Sequence, residues 1–151
     1  MTMRDAELTR PAGLAELKAM MAPGRRPPIA DLLDFTLVDV SEGSAVFSAT
    51  PTRQAYNPIG TVHGGYAATL LDSACGCAVQ SRLAGDRVYT TLELKVSYHK
   101  AITDRTGPMR CEGRVVTLGR RVAFAEATLK DEAGRLYATA SSSLLVMDRA
   151  V

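Results

Sequence analysis

The stretch GYAATLLDSACGCAVQSRL, residues 65–83, is the longest helical signal in the chain. It is apolar almost all round and rich in Ala, Cys and Gly, and Asp72 is the one acid in it. A helix without a polar face is enclosed by other structure rather than laid on a surface. Its small side chains let neighbouring backbone come close. Ala84-Gly85-Asp86 marks its end.

On the C-terminal side the pattern changes to period two, which is that of strands. In residues 88–99 (VYTTLELKVSYH), Leu92, Leu94, Val96 and Tyr98 share one face. Strict alternation places Thr91 on the other face, with Glu93, Lys95 and Ser97. Residues 109–118 and 121–130 read as strands around a tight turn at Gly119-Arg120, and residues 135–147 follow a turn at Glu132-Ala133-Gly134. On the N-terminal side, a hairpin is predicted from Phe35, with Val38 and Val40 on one face of the first strand and Ala45, Phe47 and Ala49 on one face of the second. Glu42-Gly43 is its turn. Leu37 and Val46 break the alternation. Residues 51–62 are loop, punctuated by Pro51, Asn57-Pro58 and Gly60. Residues 12–22 read as a short amphipathic helix with Leu14, Leu17 and Met21 on one stripe, stopped by Pro23-Gly24. Pro28 opens a further helical turn through Ile29, Leu32 and Leu33.

This order of elements predicts an α+β fold, an antiparallel sheet wrapped around one long central helix. That is the hotdog arrangement. The chain of 151 residues is read as one domain, with residues 1–34 a helical extension and 35–147 the core. A single curled sheet leaves open edges, and an open edge invites a second copy, most simply about a two-fold axis.

Composition narrows the function. Apolar residues are 46% and charged residues 23%, ordinary for a globular protein, and a net charge of +2 without a basic block gives no nucleic-acid surface. Three cysteines, Cys75, Cys77 and Cys111, without a secretion signal read as buried thiols rather than a disulfide framework. No apolar run reaches the ~20 residues of a membrane helix, so a soluble cytoplasmic protein is expected. His63 and the distant His99 make no metal cluster, and no phosphate-binding glycine motif of another kind is present, so no metal or cofactor is expected.

Chemistry concentrates between Asn57 and Asp72. Gly64 and Gly65 precede the enclosed helix, so their N–H groups belong to its unsatisfied, electropositive end. Lacking side chains, they admit a ligand close to the backbone. An oxygen that becomes negative in a transition state fits there. A lone acid such as Asp72 on an apolar helix is expensive to bury unless it is paired or used. Eight residues separate it from Gly64, ~12 Å along a helix, too far for both to act on one carbonyl. If two copies pack with these helices antiparallel, the glycine end of one meets the middle of the other. His63 and Asn57 flank the turn as loop-ordering or oxygen- and water-positioning groups.

The pattern N-P-x-G-x-x-H-G-G-(x)6-D from Asn57 to Asp72, with T-x-E-L-x-V-x-Y at Thr91–Tyr98, resembles the hotdog thioesterases of the phenylacetic-acid-degradation type, relatives of the 4-hydroxybenzoyl-CoA thioesterases. The resemblance covers roughly residues 35–147. It implies an acyl-CoA thioesterase in which the Gly64 N–H polarises the thioester carbonyl and Asp72 of the partner subunit is general base or nucleophile. It implies that Asn57 and His63 support the site and that Thr91 helps hold the attacking water. It also implies a homotetramer built as a dimer of dimers, with the CoA nucleotide at the surface. Arg120 and Arg121, at a hairpin tip, are candidates for its phosphates. Two other activities fit a hotdog chain: acyl-CoA binding without catalysis, which has no need of Asp72, and enoyl-CoA hydration. Hydration wants a His close behind the acid, and none follows Asp72 until His99. A purely structural oligomer would leave the glycine mouth and the buried acid without a use.

Overall fold

Each period-two stretch becomes a strand and the apolar stretch becomes a helix in the computed structural model, which describes residues 11–150. The order is α1 (Ala12–Met20), α2 (Pro28–Leu33), β1 (Phe35–Ser41), β2 (Ser44–Ala49), a 3-10 turn (Arg53–Ala55), α3 (Gly64–Gln80), β3 (Arg87–Tyr98), β4 (Met109–Leu118), β5 (Val122–Asp131) and β6 (Leu136–Asp148). All strand pairs are antiparallel, in one six-stranded sheet ordered β1-β2-β4-β5-β6-β3. The 17-residue α3 packs against strands across this sheet, which is the expected hotdog arrangement. No helix among the described residues is long and apolar enough to cross a membrane.

The core is the contact between α3 and the concave face. Leu70, Leu71, Ala74, Ala78 and Val79 of the helix are buried against Phe47, Ala125, Leu129 and Leu144 of the strands. Burying each large side chain contributes about 1.5–3 kcal/mol. Close approach depends on glycine. A Cβ on Gly113 of β4 would strike the backbone of Ala74, and one on Gly76 of α3 would strike the Tyr89 ring. Cys75, Cys77 and Cys111 are free, buried thiols, as expected.

Bulges correct the alternation read from sequence. The ladders slip between Leu37 and Asp39, between Thr91 and Glu93, and between Val115 and Thr117. Each slip turns one apolar residue, Val38, Leu92 or Val116, out to solvent. An extra residue in one strand bends and twists it, which suits a sheet that must curl. In β1 the slip turns Leu37 and Val40, not Val38, toward the core. In β3 it moves Thr91 onto the inward face with Leu94, Val96 and Tyr98, and leaves Glu93, Lys95 and Ser97 outside.

The N-terminal helices follow the sequence with one change. Leu14 and Leu17 are buried, but Met21 falls beyond the last turn of α1 and is exposed. Gly13 lets α1 lie directly on the C-terminal end of α3, where its N–H donates to Leu83 O at 3.1 Å. Proline opens α2 at its first position, and Asp34 closes it in the left-handed region at φ 53°. Both helices contact β1, so that edge of the sheet is flanked. The other edge, β3, pairs only with β6 and is open among the described residues.

Candidate active site

The loop before α3 is built by Asn57. Its Oδ1 accepts from the N–H groups of Ile59 and Thr61 at 3.1 Å each, and its Nδ2 donates to Thr61 Oγ1 at 2.9 Å. Side-chain closure of this kind mimics a backbone turn, and Gly60 completes it at φ +90°. Asn57 is thereby engaged in ordering the loop. The loop is tied down by His63 N–H donating to Ala55 O at 2.7 Å and Val62 N–H donating to Ile102 O at 2.9 Å.

His63 is the N-cap of α3. Its Nδ1 accepts from Gly65 N–H at 2.8 Å. A neutral ring that accepts at Nδ1 carries its proton on Nε2, which leaves an outward donor at the helix mouth. The two glycines therefore divide their work. Gly65 gives its N–H to the cap. Gly64 N–H has no hydrogen-bond partner among the described residues and keeps the donor capacity of a helix N-terminus.

Gly64 lies in a cleft of about 340 Å³ lined also by His63, Ala67, Tyr98, His99 and Lys100. Tyr98 Oη donates to Gly64 O at 2.6 Å and its ring packs over the glycine, where a Cβ would come within 3.0 Å of the hydroxyl. This clamp was not legible in the sequence. Alternation puts Tyr98 on the inward face, but only the fold brings the end of β3 to the helix mouth. His99 is exposed, as expected, yet it lines this cleft, with Nε2 3.0 Å from Thr139 Oγ1. Lys100 Nζ lies 5.5 Å from the centroid of the Tyr137 ring.

Asp72 stands elsewhere. It is half-buried on α3 and accepts from Thr91 Oγ1 at 2.9 Å. It does not line the Gly64 cleft. The thiols beside it are inert at neutral pH: burial, reinforced by the Asp72 charge, pushes Cys75 and Cys77 up to about 12. A thiolate nucleophile is thereby disfavoured, and Asp72 keeps one carboxylate oxygen without a hydrogen-bond partner among the described residues.

Arg120 and Arg121 form the β4–β5 tip, beside Arg87 at the start of β3, in a recess of about 500 Å³. Arg87 Nη2 donates to Arg120 O at 2.8 Å, and its Nε lies 3.4 Å from Asp148. Gly64 is at the opposite end of β3, roughly 30–35 Å away along a 12-residue strand. Within one chain, then, the structure joins Asn57, His63, Gly64 and Gly65, joins Asp72 to Thr91, and gathers the arginines in a third place. The sequence offered no sign that Arg87 belongs with them. No group of three His, Cys, Asp or Glu able to hold a metal occurs among the described residues.

Residues 59–138 match the profile of the Thioesterase superfamily. A protein of Saccharolobus solfataricus, an esterase by name, is 29% identical over 120 residues, 79% of this chain and 83% of its own. The structure of a conserved Pseudomonas aeruginosa protein superposes with a TM-score of 0.76 at 28% identity, covering 86% of this chain and 98% of that one. A Streptococcus mutans protein solved with acetyl-CoA bound superposes with a TM-score of 0.69 at 24% identity, covering 78% and 91%. The matched profile spans the cleft, Asp72, Thr91 and the arginine tip, more than half of the sequence: the chain belongs to the thioesterase superfamily.

Proposed function

We propose that this protein is an acyl-CoA thioesterase of the phenylacetic-acid-degradation type, active as a homodimer in which each site takes its oxyanion donor from one chain and its carboxylate from the other. The observation that carries this is that both halves of the site are fastened to one open edge strand. Tyr98 of β3 clamps Gly64 and Thr91 of β3 holds Asp72. Their partners on β6, Ala138 and Leu144, show them six ladder steps apart, with Lys95 midway. If β3 pairs antiparallel with its copy about an axis through Lys95, Tyr98 comes opposite the partner's Thr91. Gly64 then faces Asp72 of the partner subunit, twice per dimer. The bulge at Leu92 gives Thr91 and Tyr98 the same face, which a two-fold pairing of this kind requires.

The chemistry follows from the two groups. Gly64 N–H donates to the thioester oxygen, and the bond strengthens as negative charge develops there. His63 Nε2–H adds a second donor at the mouth. The Asp72 carboxylate, oriented by Thr91, removes a proton from water as the water oxygen adds to the carbonyl carbon. Collapse of the tetrahedral intermediate breaks the C–S bond, and the thiolate takes up the proton, giving free acid and CoA. Direct attack by Asp72 would instead form a mixed anhydride that water then cleaves. Label entering the Asp72 carboxylate during a single turnover in ¹⁸O-water supports direct attack, because it requires water to cleave an anhydride at the Asp72 carbon. No cofactor is required by either route.

The same pairing lays the partner subunit's Arg87, Arg120 and Arg121 beyond Tyr98, next to His99 and Lys100. That cationic rim suits the phosphates of a CoA nucleotide, and acetyl-CoA is bound by the structurally similar Streptococcus mutans protein. Val116 and Phe124, exposed on the outer face of the sheet, are where two dimers would stack into a tetramer. The test is release of free thiol from aryl, short, medium and long acyl-CoAs. Turnover of at least one class, lost in Asp72→Asn, is the expected result. No release from any of them overturns the assignment.

A further inference from the structure

Gly64 and Gly65 are joined by one peptide group, and side chains hold both ends of it. Tyr98 Oη donates to its carbonyl oxygen, Gly64 O, at 2.6 Å. Its N–H, that of Gly65, donates to His63 Nδ1 at 2.8 Å. The bonds therefore run in one direction. They pass from the Tyr98 hydroxyl through the peptide to the imidazole, and end at the ring's Nε2–H at the helix mouth.

The hydroxyl is not there to satisfy an orphan acceptor. Helix geometry already supplies Gly64 O with the N–H four residues on, and Tyr98 uses the oxygen's second lone pair. Nor is it there for packing, since a phenylalanine ring would cover Gly64 as well. What the hydroxyl adds is polarisation, because in a chain of hydrogen bonds each bond strengthens the next. Charge drawn onto Gly64 O makes Gly65 N–H a better donor, and that donor occupies the lone pair of Nδ1. Among the described residues no carboxylate lines the cleft, so the peptide is the group there that can fix the tautomer of the ring. Both bonds need glycine. A Cβ on Gly64 would come within 3.0 Å of the Tyr98 hydroxyl, and one on Gly65 within 2.9 Å of His63 Nδ1.

We infer that Tyr98 is a positioning residue of this site: through the Gly64–Gly65 peptide it holds His63 as the neutral Nε2–H tautomer, so that Gly64 N–H and His63 Nε2–H meet the thioester oxygen as a preset pair of donors. Donors fixed in advance need no reorganisation as negative charge develops. Tyr98 is 54% exposed in the single chain. In the pairing proposed above it comes opposite the partner's Thr91, so dimer formation shields the hydroxyl from competing water. The kinetic consequence rests on the thioesterase reading, whereas the relay can be tested without it.

The chain has two histidines, so ¹⁵N-histidine labelling shows two rings, and His99→Gln tells them apart. At a pH above the ordinary histidine range, wild-type His63 is expected as the Nε2–H tautomer alone. Tyr98→Phe keeps the ring over Gly64 and removes the hydroxyl. In that variant the Nδ1–H tautomer should appear, and the Gly65 amide proton should move upfield as its bond weakens. With a thioester that the wild type hydrolyses, kcat is expected to fall about fivefold, the scale of one neutral hydrogen bond, with KM little changed. A tyrosine that only packed strand on helix would alter stability and leave the tautomer and kcat alone. The expected NMR changes in a protein that cleaves no thioester sustain the relay and remove only the thioesterase reading. An unchanged His63 tautomer in Tyr98→Phe, or wild-type kcat in that variant, overturns the inference.

Discussion

Thr91 Oγ1 donates to Asp72 Oδ1 at 2.9 Å, from an open edge strand to the middle of the central helix. The bond fixes one carboxylate oxygen and leaves the other free to meet a substrate. Asp72→Asn is expected to lower kcat by roughly two orders of magnitude or more, the scale of general acid–base catalysis, with the dimer intact by light scattering. Thr91→Ala, which frees the carboxylate without removing it, is expected to cost about tenfold, and Thr91→Ser to restore most of the loss. Full activity in Asp72→Asn would remove the carboxylate from the mechanism.

The two-fold axis proposed at Lys95 has a geometric consequence. Lys95 is exposed on the outer face of β3. In the proposed pairing it stands opposite its own copy, with Cβ atoms roughly 4.5–5.5 Å apart. Lys95→Cys therefore cross-links to itself on mild oxidation, seen as a dimer on non-reducing gels. The native thiols are buried and do not compete. Ser97→Cys, two residues off the axis, cross-links far less. The reverse order would move the axis.

Glycine at position 113 is required by packing. A Cβ there meets the carbonyl of Ala74, which belongs to the backbone of α3 and cannot turn aside. Gly113→Ala forces the helix away from β4 and is expected to cost about 1–3 kcal/mol, the usual price of overpacking. Urea denaturation with an unchanged slope would report it.

Asp104 anchors the loop that carries the cleft to the loop before α3. It accepts from Tyr56 Oη at 2.8 Å and pairs with Arg53 at 3.0 Å. The Tyr56 hydrogen bond, then Arg53, hold its carboxyl below the usual range. A depressed folded-state pKa gives stability that is present above the unfolded value of about 3.9. That stability is lost as pH falls through the lower folded value. Asp104→Asn is thus expected to melt below wild type at pH 7, with the gap closing as pH falls below about 4. A gap that stays constant through that window would show that the effect is not ionic.

Much of this was legible in the sequence, for definite reasons. An apolar helix with a single acid announces its own enclosure, and α3 lies within a few residues of where the pattern puts it. The Asn57–Gly65 loop is read correctly as a unit because Asn, Gly and His act there through their own neighbours. Alternation fails where the strand bulges. Leu92 is apolar and looks inward by count, yet it is 59% exposed, and the shift reverses the face of Thr91. A bulge has no side-chain signature, so the error could not be seen before the ladder was. Tyr98 and Arg87 were missed because their roles depend on contacts across 34 and 33 residues, with Gly64 and Arg120.

The central claim is that each site draws on two chains, and complementation tests it directly. Gly64→Pro removes the donor N–H at a helix position that accepts proline, and Asp72→Asn removes the carboxylate. Each variant alone is expected to be inactive. When the two are unfolded and refolded together, half of the dimers are mixed, and each mixed dimer holds one intact site and one with both defects. Activity should return to about one quarter of the wild-type level per chain for a two-fold dimer. A mixture as inactive as its components, with mixed dimers confirmed by mass, would mean that Gly64 and Asp72 must come from the same chain and would contradict the account.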